Sequence, residues 1–159
     1  MKTIEIIGEN YFGSYHNTRT ACRAIIIKDG MVLLSYQKFI DVYMFPGGGL
    51  EENETEEECA RREVEEETGF IVGPLNNVLE IDEYYEDTKF VTIFFAGNIL
   101  KRGTQNLTPN EIKEGMEPRW MKLDDVIKTF STHETYRDKC EIKRGIYLRE
   151  YNALKSFLG

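Results

Sequence analysis

Three consecutive glycines, Gly47-Gly48-Gly49, run into a helix-start signal at Thr55, and this conjunction constrains the fold more than any other feature of the chain. A residue without a Cβ lets backbone come close to another backbone, a ligand or an ion. Phe45-Pro46-Gly47-Gly48-Gly49 is therefore expected to be a loop that feeds a helix. Thr55-Glu56-Glu57-Glu58 reads as a capping box, in which the Thr55 hydroxyl accepts from the Glu58 amide and the Glu58 carboxylate reaches back. Gly69 marks the helix end. Between these signals Ala60, Val64 and Thr68 recur at four-residue spacing, a narrow face that can pack on a sheet, and Glu63, Glu66 and Glu67 lie off that stripe.

The last turn of this helix is unusual. Glu65-Glu66-Glu67 puts carboxylates at the negative end of the helix dipole, where lysine or arginine would stabilise. Glu63 with Glu66, and Glu63 with Glu67, are like-charge pairs at i,i+3 and i,i+4, each costing about 0.2–0.5 kcal/mol on an isolated helix. Local stability does not explain such a run. A solvated acidic face is one reading of it. A hard divalent cation between the carboxylates is the other, because Mg²⁺ prefers oxygen ligands and usually shares them with substrate phosphates.

Around this segment the pattern is mixed β and α. Thr20 to Lys28 is β-rich, Asp29-Gly30 is a hairpin signal, and Met31 to Tyr36 reads as the returning strand. Val78 to Tyr84 and Phe90 to Ala96 read as strands around Glu86-Asp87, Trp120 to Leu123 as a short strand, and Lys139 to Leu158 as an amphipathic terminal helix. No repeat or Pro/Gly/Ser-rich linker divides the chain. With 159 residues, 41% of them hydrophobic, residues 1–159 are expected to form one domain around a single core.

Composition removes several function classes. The longest apolar runs, Ala24 to Ile27 and Met31 to Leu34, are too short to span a bilayer, and Met1 to Asn10 lacks an apolar signal-peptide core, so a cytoplasmic protein without membrane contact is expected. A net charge of −8 disfavours nucleic acid as a partner and implies that an anionic substrate would need cations to mediate its binding. Cys22, Cys59 and Cys140 form no CxxC pair and read as reduced thiols. His16 and His133 sit far apart in polar stretches and are expected at the surface.

The segment Gly48 to Phe70, GGLEENETEEECARREVEEETGF, resembles the Nudix box, the 23-residue pattern GX5EX7REUXEEXGU with U a bulky apolar residue. Gly48, Glu54, Arg62, Glu63, Val64, Glu66, Glu67, Gly69 and Phe70 fill its nine fixed positions in register. A chance match at a given start is on the order of one in a million at average composition. The resemblance implies an α/β (α+β) fold, a mixed β-sheet sandwiched between α-helices, and a Mg²⁺-dependent hydrolase acting on a phosphoanhydride bond, with Mn²⁺ as the alternative ion. It also implies Glu63 and Glu67 as principal ligands, Glu66 as an additional or bridging one, and the Gly47 carbonyl as a further candidate. Lys113-Glu114-Gly115 ahead of Trp120-Met121 is similar to MutT-type members, which favours Glu114 over Glu111 as a carboxylate reaching in from a later loop. Arg62 and Glu54 would hold loop and helix in shape.

Substrate is less sharply marked. Arg23, Tyr36, Lys38, Phe45 and Tyr85 are the candidates for holding a nucleotide-type small molecule, with Tyr43 nearby, and Trp120 is expected in the core. Tyr84 and Tyr85 lie where family members acting on dinucleoside polyphosphates carry a tyrosine. Tyr36-Gln37-Lys38 stands where MutT carries arginines, which weighs against 8-oxoguanine selectivity. A nucleoside triphosphate pyrophosphohydrolase is the first expectation, and a dinucleoside polyphosphate, ADP-ribose or sugar-nucleotide hydrolase the second. A catalytically silent nucleotide-binding regulator is the alternative of another class, and the complete set of box glutamates argues against it. An isomerase branch with a catalytic cysteine has no matching motif. By analogy with the family, a homodimer is plausible.

Overall fold

A computed structural model describes residues 1–159. In chain order the elements are β1 (Lys2–Ile7), β2 (Asn17–Ile25), β3 (Ile27–Lys28), β4 (Met31–Gln37), β5 (Val42–Met44) and β6 (Gly47–Gly49), then α1 (Glu56–Thr68). They continue with β7 (Phe70–Val72), β8 (Asn76–Tyr85), β9 (Thr88–Ala96), β10 (Ile99–Arg102), α2 (Pro109–Lys113), β11 (Met116–Lys122), α3 (Leu123–Ser131), a 3₁₀ turn at Thr132–Tyr136, and α4 (Glu141–Leu158).

Side-chain alternation along the strands explains the layering, since successive residues point to opposite sheet faces. Cys22, Ala24 and Ile26, Leu33, and Ile93 and Phe95 join Cys59, Ala60 and Val64 of α1 in one apolar cluster. Their alternates Ile25, Val32, Leu34, Leu79, Ile81 and Phe94 join Val126 and Phe130 of α3 and Tyr147, Ala153 and Leu154 of α4 in the other. The result is β-structure between α1 on one face and α3 with α4 on the other, a mixed α/β sandwich as expected.

The larger sheet has the order β1-β8-β9-β2-β6, with β1–β8 and β2–β9 parallel and the remaining pairs antiparallel. In the second, β4 pairs antiparallel with β11 on one side and with β3 and β5 on the other. The hairpin at Asp29-Gly30 forms as expected, both residues at positive φ (53° and 75°) as the tight hairpin turn requires.

Several elements differ from expectation. The triple glycine is not a free loop: Gly47–Gly49 pairs with Ala21–Arg23 as an edge strand. Glycine is needed there because a Cβ on Gly47 would lie 2.3 Å from the Cys22 carbonyl oxygen. β11 starts at Met116 rather than Trp120, and Leu123 already belongs to α3. β1, α2 and α3 were not anticipated. No helix is long and apolar enough to cross a membrane.

Candidate metal centre and adjoining cavity

α1 starts and ends where its sequence suggests, with one half of the expected capping box formed and no bond from Thr55 N to the Glu58 carboxylate. The Thr55 hydroxyl accepts from Glu58 N (3.1 Å), and Gly69 closes the helix at φ 80° with its N–H donating to Glu65 O. The carbonyls left open at the C-terminus of a helix need partners, and residues 103–106 supply them. Gly103 N donates to Gly69 O, Gln105 Nε2 to Glu67 O and Asn106 N to Glu66 O, each at 2.8 Å. This staple holds the following segment against the acidic end of α1.

The staple decides which later glutamate reaches the box. The carboxylates of Glu63, Glu67 and Glu111 converge, one oxygen of each lying within 4.8 Å of the others. Glu111 is the third residue of α2, where Thr108 caps the helix: Glu111 N donates to the Thr108 hydroxyl (3.2 Å) and Thr108 N to Glu111 Oε1 (2.8 Å). Glu114, the residue favoured from sequence, ends α2 instead, and its carboxylate accepts from Gln37 Nε2. Three positions separate the rivals, Glu111 in the capped first turn of α2 and Glu114 at its C-terminal end.

Glu67 is the buried member of the trio, 3% exposed. Its Oε1 accepts from the Ser35 hydroxyl (2.8 Å) and from Gly47 N (3.2 Å). Gly47, expected to offer its carbonyl, thus meets the cluster through its N–H. Burial pushes the Glu67 carboxyl from 4.5 up to about 8; the Arg23 charge pulls it down and Glu63 pushes it further up. Burial also raises Glu63, against the downward pull of Arg62. Gly48 leaves room for this group, since a Cβ there would lie 2.6 Å from the Glu63 carboxyl carbon. Glu63 and Glu67, which resist ionisation because they are desolvated and close together, are what a divalent cation would relieve, and the oxygen-only donor set of the trio fits a hard ion.

Arg62 clamps the outside of the site. Its guanidinium donates to Glu54 Oε1 (2.8 Å) and Oε2 (3.0 Å), to Glu63 Oε1 (2.8 Å), to Glu66 Oε2 (3.1 Å) and to the Gly49 carbonyl (3.1 Å). The Arg62 bond holds the Glu54 carboxyl down at about 2. Glu66 is therefore turned toward Arg62, outside the trio.

On the opposite face of the sheet, Arg23 donates to the Phe45 carbonyl (2.8 Å), and its charge is felt by Glu67. Beyond it a cavity of about 880 Å³ opens between β2, β8 and β9 and the N-terminal half of α4, lined by Arg23, Gly49, Tyr85 and Arg149 among others. Tyr85 lies on its wall, as a substrate contact would. Three other candidates do not converge here. Phe45 is fully buried, packed edge-on against Phe94 and Phe130, and is core. Tyr36 projects from the β4 face opposite Ser35, stacked on Tyr43 (centroids 4.1 Å apart) with its hydroxyl donating to Asp41. Lys38 is exposed at the β4–β5 turn, beside the Phe39 ring. Trp120 packs on the α1-side core, as expected. His16 is exposed, but His133 is half-buried against Tyr151.

The chain matches the family profile described as NUDIX domain over residues 17–139. It belongs to the Nudix family. Among curated relatives, the mouse "Diphosphoinositol polyphosphate phosphohydrolase 3-alpha" is 32% identical over 109 residues, 67% of this chain and 63% of the relative. The rat "Diphosphoinositol polyphosphate phosphohydrolase 2" is 32% identical over 115 residues, 67% of this chain and 58% of the relative. The chain thus spans about three fifths of the length of these relatives. Its fold is similar to that of a NUDIX hydrolase from Nitrosomonas europaea, with a TM-score of 0.62 at 19% identity over 86% of this chain and 90% of the other. A MutT NUDIX hydrolase from Burkholderia pseudomallei aligns at a TM-score of 0.55 and 22% identity over 69% of this chain and 86% of the other. Against the family pattern, this Nudix domain keeps every box glutamate. The residues missed in sequence, Ser35, Glu83, Arg149 and Glu150, lie outside the box, as does Glu111, weighed there as the rival of Glu114. The signal that could have favoured Glu111 is the Thr108-Pro109-Asn110-Glu111 capping box, and the other four had none.

Proposed function

We propose that this Nudix domain hydrolyses a phosphoanhydride bond in a nucleoside diphosphate derivative, a nucleoside triphosphate being the first candidate, with Mg²⁺ held by Glu63, Glu67 and Glu111. The observation that carries the reading is the convergence of those three carboxylates beneath the glycine strand. A divalent cation bound there would neutralise charge on the bridging oxygens and help orient the attacking water.

The protein's own contributions follow from the contacts. Ser35 and Gly47 N–H fix the Glu67 carboxylate in one rotamer. Arg62, anchored by Glu54, holds Glu63 and the Gly49 carbonyl, so loop and helix keep a fixed separation. Preorganisation of this kind lowers the barrier because no reorganisation is needed as charge develops.

The names of the curated relatives favour a second reading, a diphosphorylated inositol polyphosphate as substrate. Incubating the protein and its Glu67→Gln variant with Mg²⁺ and a panel of nucleoside triphosphates, dinucleoside polyphosphates, ADP-ribose and diphosphoinositol polyphosphate separates the two. Metal-dependent turnover of a nucleotide, lost in the variant, supports the first reading. Turnover of the inositol compound alone supports the second, and tight nucleotide binding with no turnover points to a regulatory module.

A further inference from the structure

The segment that carries Glu111 to the trio has no apolar anchor of its own. α2 is five residues long with none of them buried, and its Ile112 is 61% exposed. A helix this short is not stable by itself, so contacts elsewhere must place it. Those contacts are hydrogen bonds at its two ends. Upstream, Gln105 Nε2 and Asn106 N donate to the carbonyls of Glu67 and Glu66. Downstream, the turn after β4 grips the other end: Lys38 N donates to Gly115 O (3.3 Å), Phe39 N to Glu114 O (3.1 Å), and Gln37 Nε2 to the Glu114 carboxylate. Gly115 permits this approach, lying at φ 70° where a Cβ would be 2.8 Å from Lys38 Cγ.

The Gln37 bond stands apart because of the strand it comes from. Alternate residues of a strand share a face, so Leu33, Ser35 and Gln37 lie in one row along β4. Leu33 packs with Cys59, Ala60 and Val64 of α1, and Ser35 donates to Glu67 near the end of that helix. Gln37 follows about 7 Å further on and reaches the end of α2. The strand is braced on both sides, by β11 along its whole length and by β5 from Ser35 to Gln37. One rigid row therefore refers both halves of the trio to a common frame, Glu67 through Ser35 and the Glu111 segment through Gln37.

We propose that Gln37 is a positioning residue of the metal centre: by gripping Glu114 it fixes the end of α2 and holds the Glu111 carboxylate within reach of Glu63 and Glu67. The inference rests on the reading of the trio as a cation site and adds what keeps its third member in place. Glu114 then serves the site without touching an ion, its carboxylate being engaged by Gln37. Without the grip the Thr108 cap still forms, so α2 keeps its turn but can swing about the staple at residues 103–106. A ligand that must be drawn into place as the ion binds weakens the ion's hold.

The test is Mn²⁺ titration, followed by electron paramagnetic resonance, of wild type, Gln37→Leu, Glu111→Gln and the double variant, each checked for folding by thermal melting. Leucine fills similar space and cannot donate. Gln37→Leu should raise the Mn²⁺ Kd about 10-fold, and no more than Glu111→Gln does. Added to Glu111→Gln, it should change the Kd by less than about 2-fold, because Gln37 acts through Glu111 alone. Glu114→Gln, which still offers Gln37 an oxygen, should bind as wild type does. In EDTA, the Ile112, Glu114 and Gly115 amides should exchange hydrogen faster in Gln37→Leu, with exchange in α1 unchanged. Wild-type affinity in Gln37→Leu, or an equal loss with and without Glu111, would overturn the proposal and leave the trio standing. Wild-type affinity in Glu111→Gln would remove both. Since no arm needs turnover, a protein that binds Mn²⁺ in the expected pattern yet cleaves no anhydride keeps this proposal and loses the hydrolase reading.

Discussion

Glu67→Gln should make the metal-free protein more stable while removing its activity. The carboxyl is raised from 4.5 to about 8 by burial, so the folded protein resists ionising it and the unfolded chain does not. For an acid shifted upward, the metal-free fold is most stable below the unfolded value and loses stability as pH rises toward the folded value, above which the penalty is constant. At pH 7 that penalty amounts to about 3 kcal/mol, reaching about 5 kcal/mol above pH 8, both as upper estimates. Glutamine keeps an oxygen to accept from Ser35 and Gly47 and carries no charge to desolvate. In EDTA the variant should therefore melt close to wild type at pH 5 and up to roughly 8–16 °C above it at pH 8, at about 2–4 °C per kcal/mol for a chain of this size. Circular dichroism melts from pH 5 to pH 9 measure this. Mg²⁺ at 100 times its Kd should narrow the difference, since it stabilises wild type by about 2.7 kcal/mol and the variant lacks one ligand. A variant that melts below wild type in EDTA at pH 8, or a difference independent of pH, would refute the reasoning.

Three further outcomes follow from named contacts. Gly48→Ala places a methyl 2.6 Å from the Glu63 carboxyl carbon, so the carboxylate must swing aside; the protein should fold and Mg²⁺ affinity, measured by calorimetry, should fall by about 10-fold or more. Phe45→Ala empties a fully buried site between Phe94 and Phe130 and should cost about 3–5 kcal/mol in urea unfolding, whereas Phe45→Leu should leave KM unchanged, as a core residue rather than a substrate contact would. Arg62→Lys keeps the charge but cannot grip Glu54 through two nitrogens, and kcat should fall about 10- to 100-fold with little change in the melting temperature.

The loop-helix unit was legible because its signals are local. Thr55 and Gly69 cap α1, and a run of glutamates that opposes the helix dipole has a clear chemical use. The strands flanking Asp29-Gly30 and Glu86-Asp87 were legible for the same reason, with Asp29, Gly30 and Glu86 at positive φ between apolar runs. What escaped depends on distant parts of the chain. Glu111 reaches the trio because residues 103–106 are stapled to the end of α1, a pairing no local pattern reports. Phe45 neighbours the glycine strand in sequence, yet it lies in the break between β5 and β6 and enters the α3–α4 core beside Met44. Glu83 and Arg149 gain their meaning only when β8 and α4 face each other across the cavity. β1 carries the alternation of a strand, but only its parallel pairing with β8 gives it a place.

The carboxylate trio is tested most directly by Mn²⁺ binding followed by electron paramagnetic resonance in wild type, Glu111→Gln and Glu114→Gln. The account predicts that Glu111→Gln weakens Mn²⁺ binding by about 10-fold or more while Glu114→Gln binds as wild type does. Loss of binding in Glu114→Gln with Glu111→Gln unaffected would contradict it.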